Sequence, residues 1–543
     1  MGKRLLWGWV LSVLVVCPAS GQEPPANETC RTAGVAGCLE SIVVGNRATP
    51  AVEGSQMSIG RGNSTLPARA SMALHYGDRL TTGPDTSANL RIGDPLEDFT
   101  LYPGSQVELI DPHTLRFKLG KLFEQAHDYF LVTTDWVNLG VRGTAFQVEA
   151  TSGEIKVAQL DDELAVAPSG GAATTMLQPL PACDQKLVAP CRLNKLTILT
   201  MTKRDAALQA HPIGLEECEA IVNTYANVVI AAKPQFPSES LIPNFQSPEA
   251  RAQSFREARF GSFWRPESTA YFETLGDVYV DWGEGEMALS AYRRAGEAQR
   301  QGKDLAIFYD KLGNALRLAG QFDSAENYYE KALSLAPTFA FPFNGLGDVY
   351  RDRALVEVRQ GHPANAVPLL ARADDFYKNS LDRGFWGKEG GRNRAIPLTN
   401  LGDLELLKLY VVSLTKTQDL TAEQRLAVVQ KADEFFQQSL KEYPDYPYAL
   451  TGQANAYMAK AQIYAAAGQA DKGKEAFDIA SLTLKHLIAT YPTFAPAYVS
   501  LAELCWRQGN VPGSLEQFEF ALRLDPNVKV YADQRVSAYK KPH

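Results

Sequence analysis

The spacing of apolar residues changes along the chain, and this change limits the possible folds more than any other feature of the sequence. Between residues 41 and 168, apolar side chains recur at every second position, as at Leu115, Phe117 and Leu119. This period is typical of half-buried antiparallel strands. Beyond residue 265 the apolar spacing is that of helices. We therefore expect a multidomain chain in which an all-α domain follows an all-β domain.

Four motifs in the first half, separated by turns rich in Gly, Asp and Pro, resemble the FecR family of periplasmic β domains. They occupy residues 74–83, 87–92, 102–105 and 141–146, and the last one contains Val141, Arg142, Gly143, Thr144 and Phe146. The resemblance implies a FecR-like domain of antiparallel strands over residues 41–168. It also implies a protein that acts as an envelope sensor or scaffold.

The last of these motifs has a simple structural explanation. Gly143 permits a bulge between two strands, Thr144 can hydrogen-bond the backbone that the bulge frees, and Phe146 can fill the core. We expect this role to be architectural. Arg142 is the one exposed residue of the motif that could contact a partner.

The second half contains a pattern of aromatic residues, leucine, glycine and alanine that recurs along the sequence. Gly313 and Gly347 are 34 residues apart, whereas Gly276 and Gly313 are 37 apart. The pattern resembles the tetratricopeptide repeat family, in which small residues let two antiparallel helices touch and aromatic residues fill the gap. In the second unit these residues are Gly313, Ala325, Tyr309 and Tyr329. The resemblance implies an irregular solenoid over residues 265–530, with a tail at 531–543.

The first helix of each repeat is expected to line a concave groove. The groove-facing positions are mostly acidic or amide residues: Glu273, Asp277, Asp281, Asp310, Asn314, Asn344, Asp348, Asp352, Asn400 and Asp403. Such a groove suits a basic or hydrogen-bonding peptide of a partner protein. The alternative is that these residues are merely solvated helix faces.

The first residues predict where the chain works. Residues 1–21 have the basic start and short apolar core of a secretory signal peptide, so we expect export to the periplasm or the extracellular space. Lipidation of Cys17 remains open, since Val16 before it is a poor match to a lipoprotein site. Family members that regulate sigma factors carry a cytoplasmic segment before a membrane span. We expect no such segment here, and no later transmembrane span.

Two pairs of cysteines lie close in the sequence. Cys30 and Cys38 fall at a short N-terminal segment, residues 22–40, and Cys183 and Cys191 follow the β domain. In an oxidising compartment both pairs can form disulfides, and metal binding is the weaker alternative because neither pair has zinc-site spacing. Residues 169–264 are expected to form a helical connector and a linker broken by Pro234, Pro237, Pro243 and Pro248.

The sequence predicts no catalytic, metal or cofactor site. Its histidines are scattered, and it lacks nucleophile-elbow and phosphate-loop motifs; residues 384–391 are the nearest glycine-rich loop. A net charge of −8 disfavours nucleic acid as a partner. We expect a non-enzymatic exported adaptor, whose β domain contacts an envelope component while its repeats bind a protein. The alternatives are a FecR-type signalling regulator and a cell-wall-active enzyme or its accessory subunit, with groove carboxylates as catalysts.

Overall fold

The structure is a computed structural model that describes residues 35–49, 51–93, 97–125, 129–142, 144–162, 164–169, 180, 182–183, 190–202, 208–233, 247–297, 300–383, 390–415, 420–525 and 528. The predicted signal peptide at 1–21, Cys30, Gly143, the three prolines from 234 to 243 and the predicted tail at 531–543 lie outside these ranges, as do residues 384–389 of the glycine-rich loop. No helix within the described ranges combines the length and the apolar character needed to cross a membrane.

The described residues form strands in the first part of the chain and helices in the rest. The strands are β1 (Gly37–Val44), β2 (Arg47–Ala48), β3 (Met57–Arg61), β4 (Ser64–Pro67), β5 (Met72–Leu74), β6 (Arg79–Thr82), β7 (Thr86–Ile92), β8 (Glu97–Leu101), β9 (Gln106–Asp111), β10 (Thr114–Gln125), β11 (Tyr129–Thr133), β12 (Val137–Arg142), β13 (Ala145–Ala150), β14 (Glu154–Asp161), β15 (Leu164–Pro168), β16 (Cys191–Leu193), β17 (Thr197–Thr202) and β18 (Leu208–Pro212). The helices are α1 (Leu215–Ala232), α2 (Pro248–Trp264), α3 (Thr269–Asp281), α4 (Gly285–Ala295), α5 (Gly302–Leu318), α6 (Phe322–Leu335), α7 (Ala340–Arg359), α8 (Pro363–Arg383), α9 (Gly390–Thr415), α10 (Ala422–Glu442), α11 (Pro447–Ala466), α12 (Ala470–Thr490), α13 (Ala495–Arg507) and α14 (Val511–Leu524).

The strands form two sheets that share β10. In the first sheet β2 and β5 pair with one edge of β1. Its other edge pairs with β7, and β8, β10, β13, β14, β17 and β18 follow in that order. The second sheet has the order β4, β3, β6, β9, β10, β11, β12, β15 and β16. The β10–β11 pair is parallel, and the other pairings are antiparallel. The predicted all-β domain of antiparallel strands is therefore confirmed in its main feature.

Glycine allows β10 to pass from one sheet to the other. The strand pairs with β9 up to Leu119, and from Gly120 onward it pairs with β13. Gly120 has a φ of +101°, and a Cβ atom there would lie 2.4 Å from the Cα atom of Ser105. A side chain at this position would be strained and would clash with backbone. The residue thus fixes the corner at which the two sheets join.

The two sheets enclose one apolar core, and residues from both contribute to it. Phe99 and Leu101 of the first sheet lie in the same cluster as Phe130 and Val132 of the second. The ring centroids of Phe99 and Phe130 are 4.9 Å apart. Alternate residues of each strand point into this core, which explains the period of two in the sequence.

The strands extend beyond the region that the sequence predicts. β1 begins at Gly37, before the expected start at residue 41, and β16, β17 and β18 lie within residues 169–264, which were expected to form the connector. The reason is burial on both faces of β17. Ile198 packs towards the helices, while Leu199 and Met201 face the core between the sheets. In a strand buried on both faces, adjacent apolar residues such as Ile198 and Leu199 interrupt the alternation of apolar and polar residues.

Helix α1 covers the outer face of the first sheet and joins that sheet to the solenoid. Its Tyr225 stacks on Phe123 of β10 with ring centroids 4.2 Å apart, and on its other side it approaches Phe255 of α2 at 6.5 Å. Phe255 in turn meets Trp282, which follows α3, at 4.8 Å. One continuous apolar cluster therefore extends from the first sheet through α1 and α2 to α7, the first helix of the third helix pair (α7/α8).

Pro248 starts a helix and does not break one, contrary to the prediction. It occupies the first turn of α2, where its missing N–H has no intrahelical partner to lose. The Ser247 side chain accepts a hydrogen bond from the Ala250 backbone N–H at 3.1 Å and caps the helix.

Six helix pairs follow in the described ranges, from α3/α4 to α13/α14, and they confirm the predicted all-α solenoid. A ring on the second helix fits against a glycine on the first helix in four pairs. The glycine–ring pairs are Gly276–Tyr292, Gly313–Tyr329, Gly347–Tyr377 and Gly402–Phe436, and a Cβ atom at each glycine would approach the ring to between 2.3 and 2.6 Å. Tyr329 also fills the space beside Gly345 of the next pair.

The sequence pattern placed Tyr309 in the gap between the helices, but the buried aromatic residue is its neighbour Phe308. Phe308, and not Tyr309, is fully buried, and its ring lies 5.8 Å from that of Tyr292. Tyr309 lies near the surface, where its hydroxyl donates to Glu297. Neighbouring aromatic residues on a helix face different directions, and the sequence pattern alone did not distinguish them.

We predict that Gly313→Ala destabilises the full chain by about 1–3 kcal/mol because the new methyl group would meet the Tyr329 ring at 2.6 Å. This cost outweighs the better helix propensity of alanine, which is worth about 1 kcal/mol. Urea unfolding followed by circular dichroism measures the difference. Gly54→Ala is the control, since a Cβ atom there meets nothing within 4 Å. Greater stability of Gly313→Ala than of the unchanged chain would contradict the tight fit.

Candidate functional site

The ten predicted groove residues all lie on the first helices of the repeats, but most of them are not solvated. Six are buried: Asp277, Asp310, Asn344, Asp348, Asp352 and Asn400. The other four are partly buried: Glu273, Asp281, Asn314 and Asp403. The alternative of simple solvated helix faces therefore does not describe these positions. Their burial requires internal partners, because an unpaired buried charge is costly.

Basic residues that the sequence analysis did not single out neutralise the acidic ones. The Lys311 ammonium group donates to Glu273 at 2.6 Å and to Asp277 at 2.9 Å. Arg317 bonds Asp352 at 2.8 Å. These contacts join α5 to the first helices on either side, α3 and α7. The result is an internally paired surface, whereas the sequence predicted a groove of mostly acidic and amide residues.

The pairing continues to the fourth repeat. The Arg351 guanidinium group lies 3.1 Å from Asp348 and 3.0 Å from Asp352. The Asn400 amide on α9 donates to Asn344 and to Asp348 at 3.2 Å each. We call this series the polar stripe, and it consists of Glu273, Asp277, Lys311, Arg317, Asn344, Asp348, Arg351, Asp352 and Asn400.

Tyrosines of the second helices complete the stripe from the other side. The Tyr292 hydroxyl donates to Asp277 and the Tyr377 hydroxyl to Asp348, both at 2.7 Å. The Tyr329 hydroxyl donates to Asn314 at 3.0 Å. Thus each of these tyrosine rings, which fit against a glycine, also satisfies a polar group of the same helix pair.

A signal for this stripe exists in the sequence. Asp277 and Lys311 are 34 residues apart, and Arg317 and Asp352 are 35 apart. Residues one repeat apart occupy equivalent positions on neighbouring first helices, so opposite charges at this spacing can pair. The pattern is visible only when the acidic and basic residues of successive repeats are compared.

Burial sets the protonation of two aspartates. It raises the pKa of Asp277 to about 6, against the opposing effect of Lys311. It raises the pKa of Asp310 to about 8, and one oxygen of this carboxyl group has no hydrogen-bond partner. The Asp277 oxygens accept from Lys311 and Tyr292, so this group serves the contact between the helices.

A second charged cluster joins the β domain to the helices. We call it the junction cluster, and it consists of Glu40, Arg91, Asp98, Lys233 and Glu284. Glu284, just before α4, accepts hydrogen bonds from Lys233 and, at 2.7 Å, from Arg91 of β7. Arg91 also bonds Asp98 at 3.0 Å, and Glu40 lies 3.5 Å from Lys233. These groups surround a cavity of about 40 Å³.

The junction cluster contributes stability that depends on pH. Burial alone would raise the pKa of Glu284, but Arg91 and Lys233 lower it to about 2. A depressed carboxyl pKa stabilises the folded chain above the ordinary glutamate range, and this contribution is lost as the pH falls towards 2. Loss of a buried partner costs about 3–5 kcal/mol in such pairs. Arg294 of α4 forms a further contact with the β domain, bonding Asp161 at 2.8 Å.

The motif at residues 141–146 lies at the turn between β12 and β13. The backbones of Val141 and Arg142 end β12, and Gly143 lies outside the described residues. The Thr144 hydroxyl donates to the backbone carbonyl of Asp161, beside a register shift between Ala145 and Phe146. Phe146 is fully buried between the sheets. These contacts hold the corner of the sandwich together.

The cysteines differ in their surroundings. Cys183 and Cys191 form the expected disulfide. Cys38 is buried in β1, and Cys30, its predicted partner, lies outside the described residues. Burial raises the pKa of the Cys218 thiol to about 11. Within the described part of the chain no cluster of His, Cys, Asp and Glu has the arrangement of a metal site.

Comparison with known families identifies one repeat directly. The family described as tetratricopeptide repeat matches residues 306–339, which cover most of α5 and all of α6. No curated protein matches the chain. The helix pair that contains the Gly313–Tyr329 contact is thus a recognised tetratricopeptide repeat.

Among crystal structures, the chain is similar to a thermophilic TPR protein of Thermus thermophilus. The two are 18% identical, the match covers 43% of this chain and 98% of the other, and the TM-score is 0.30. Pseudomonas aeruginosa PilF is 16% identical, the match covers 50% of this chain and 99% of PilF, and the TM-score is 0.27. A candidate anti-sigma factor from Parabacteroides distasonis ATCC 8503 is 11% identical, the match covers 27% of this chain and 64% of the other, and the TM-score is 0.21.

We predict that Asp310→Asn stabilises the chain at pH 7 and leaves its stability unchanged below pH ~4. In the folded chain the pKa of Asp310 is raised to about 8, so this carboxyl group ionises at a lower pH in the unfolded chain than in the folded one. The folded state therefore loses stability as the pH rises towards 8, and asparagine removes this loss. Melting temperatures measured from pH 4 to 8 test this. The control is Asp478→Asn on the exposed side of α12, expected to change stability by less than about 0.5 kcal/mol. A less stable Asp310→Asn chain at pH 7 would show that the carboxylate is needed in its charged form.

Proposed function

We propose that this protein is a non-enzymatic exported adaptor, in which the helical repeats bind a protein or peptide and the β domain contacts a component of the cell envelope. The observation that carries the proposal is the continuous apolar cluster from the first sheet to the third helix pair. It fixes a recognised repeat solenoid to a second domain, so a partner bound to one is held at a set position relative to the other. Solenoids of this kind offer extended surfaces to proteins.

The β domain has an exposed face on the side opposite the helices. On the outer surface of the second sheet, Glu108 is surrounded by three basic residues. Arg116 bonds it at 3.1 Å, Arg79 at 3.4 Å, and Lys118 lies at 3.8 Å. This patch has an excess of positive charge in a chain whose net charge is −8. It suits an anionic component of the envelope, in agreement with the FecR-like motifs of the domain.

The adaptor function is tested by cross-linking in the producing cells, followed by capture of the tagged chain from the periplasmic fraction. The repeat-dependent partner should be lost from a chain that lacks residues 447–543, the last two helix pairs and the tail. This truncation preserves α1, α2 and the junction cluster, and circular dichroism verifies that the remainder folds.

A matched variant changes the other domain. Arg79→Ala with Arg116→Ala should retain the repeat-dependent partner and weaken association with isolated envelopes. Capture of the same partner by the truncated chain would contradict binding through the last two helix pairs. Release of peptidoglycan fragments by the full chain, abolished by Asp277→Asn, would support the cell-wall enzyme instead.

A further inference from the structure

A large cleft lies where the end of the solenoid returns to the β domain. Its volume is about 1240 Å³. Four parts of the chain line it: β2 with the residues on either side of it, the C-terminal half of α1 and Lys233 together with one residue of α2, Thr493 between α12 and α13, and α14 of the last repeat. The cleft is separate from the polar stripe, which runs along first helices, because α14 is a second helix. We call it the basic cleft.

Three arginines give the cleft its charge. Arg47 comes from β2, Arg256 from α2 and Arg523 from α14. Arg256 donates to the Asn227 side chain at 3.1 and 3.2 Å, and Arg523 donates to the backbone carbonyl of Glu519 at 3.4 Å. Among the described residues none of the three guanidinium groups pairs with a carboxylate. Glu519 is the one acidic residue of the lining, so the cleft is positive in an otherwise acidic chain.

The fourth basic residue of the lining, Lys233, already pairs with acidic residues of the protein. Lys233 bonds Glu284 and lies 3.5 Å from Glu40 in the junction cluster. Its charge is therefore neutralised within the protein. The three arginines contrast with it and with the paired basic residues of the polar stripe.

Apolar side chains also line the cleft. They are Ile230 and Ala231 of α1 and Leu522 and Leu524 of α14. Phe520 is exposed, and the Arg523 guanidinium group lies over its ring, 5.2 Å from the centroid. Exposed aromatic residues beside arginines are typical of protein-binding surfaces.

We propose that the basic cleft binds an acidic peptide segment of a partner protein, with glutamate or aspartate side chains on the arginines and apolar side chains between Phe520 and Ile230. The volume exceeds the roughly 300–1,000 Å³ of small-molecule pockets, so a peptide fits better than a metabolite. The arginine fork favours carboxylates, and the apolar lining favours a peptide over an inorganic anion. The proposal rests on the adaptor function and names its second recognition surface.

Fluorescence anisotropy with the full chain tests this binding. The probe is a labelled peptide of about ten residues in which glutamate and leucine alternate, a length suited to an extended groove. Arg47→Ala with Arg523→Ala should weaken its binding about tenfold, and added salt should weaken binding to the unchanged chain. Peptides with lysine in place of glutamate, or serine in place of leucine, should bind more weakly. Arg293→Glu, on the exposed side of α4 and outside the cleft, is the matched control and should bind normally.

Several outcomes overturn the proposal. Equal affinity of the double variant and the unchanged chain shows that the peptide binds elsewhere. Binding only after removal of residues 529–543 shows that the tail of the chain itself occupies the cleft. Sedimentation of the unchanged chain as a dimer that the double variant dissociates assigns the cleft to a second copy.

The two proposals fail separately. If no acidic peptide binds but the cross-linked partner is still captured through the repeats, the basic cleft is not a recognition site and the adaptor function stands. If capture through the repeats fails as well, both proposals fall. Protection of residues 227–233 and 519–524 from hydrogen exchange by the acidic peptide places the binding in the cleft, and protection confined to other segments contradicts it.

Discussion

The outer face of the first sheet has to be covered, and the rest of the molecule depends on how this is done. A sandwich of two sheets buries one face of each, but Phe123 and Ile198 make the second face of the first sheet apolar as well. Helix α1 covers it through Tyr225, and α2 covers α1. Aromatic contacts of this kind add about 0.5–1.5 kcal/mol beyond the area that they bury. The solenoid thus starts from a fixed base.

Charges reinforce this base and then continue through the repeats. The junction cluster contributes a buried glutamate held by Arg91 and Lys233, which come from the sheet and from the end of α1. The polar stripe repeats the same principle between first helices, with acids and bases about one repeat apart. Because its charges are satisfied internally, the stripe stabilises the stacking of the repeats. The arginines of the basic cleft, which pair with no carboxylate among the described residues, are the contrasting case, and this is why recognition is assigned to them.

Local periodicity was enough to predict the two fold classes, but not the way in which the domains join. Strands with one solvated face, such as β10 before Gly120, show a long alternation, whereas β17 is buried on both faces and its adjacent Ile198 and Leu199 interrupt the alternation. The glycine and tyrosine pattern identified the helix pairs, yet it placed Tyr309 where Phe308 is buried. The acidic positions were found on the predicted helices. Their neutralisation by Lys311 and Arg317 depends on contacts between repeats, which a single repeat does not reveal.

The central claim is that the β domain and the solenoid form one rigid unit through α1. Double electron–electron resonance measures the distance between spin labels at Ser64 of β4 and Glu330 of α6, both of which are exposed. If the two domains form one rigid unit, the distance distribution is single and narrow and is unchanged between low and high salt, because the joining core is apolar. A broad distribution, or two resolved distances, would mean that the domains move independently and would contradict the account.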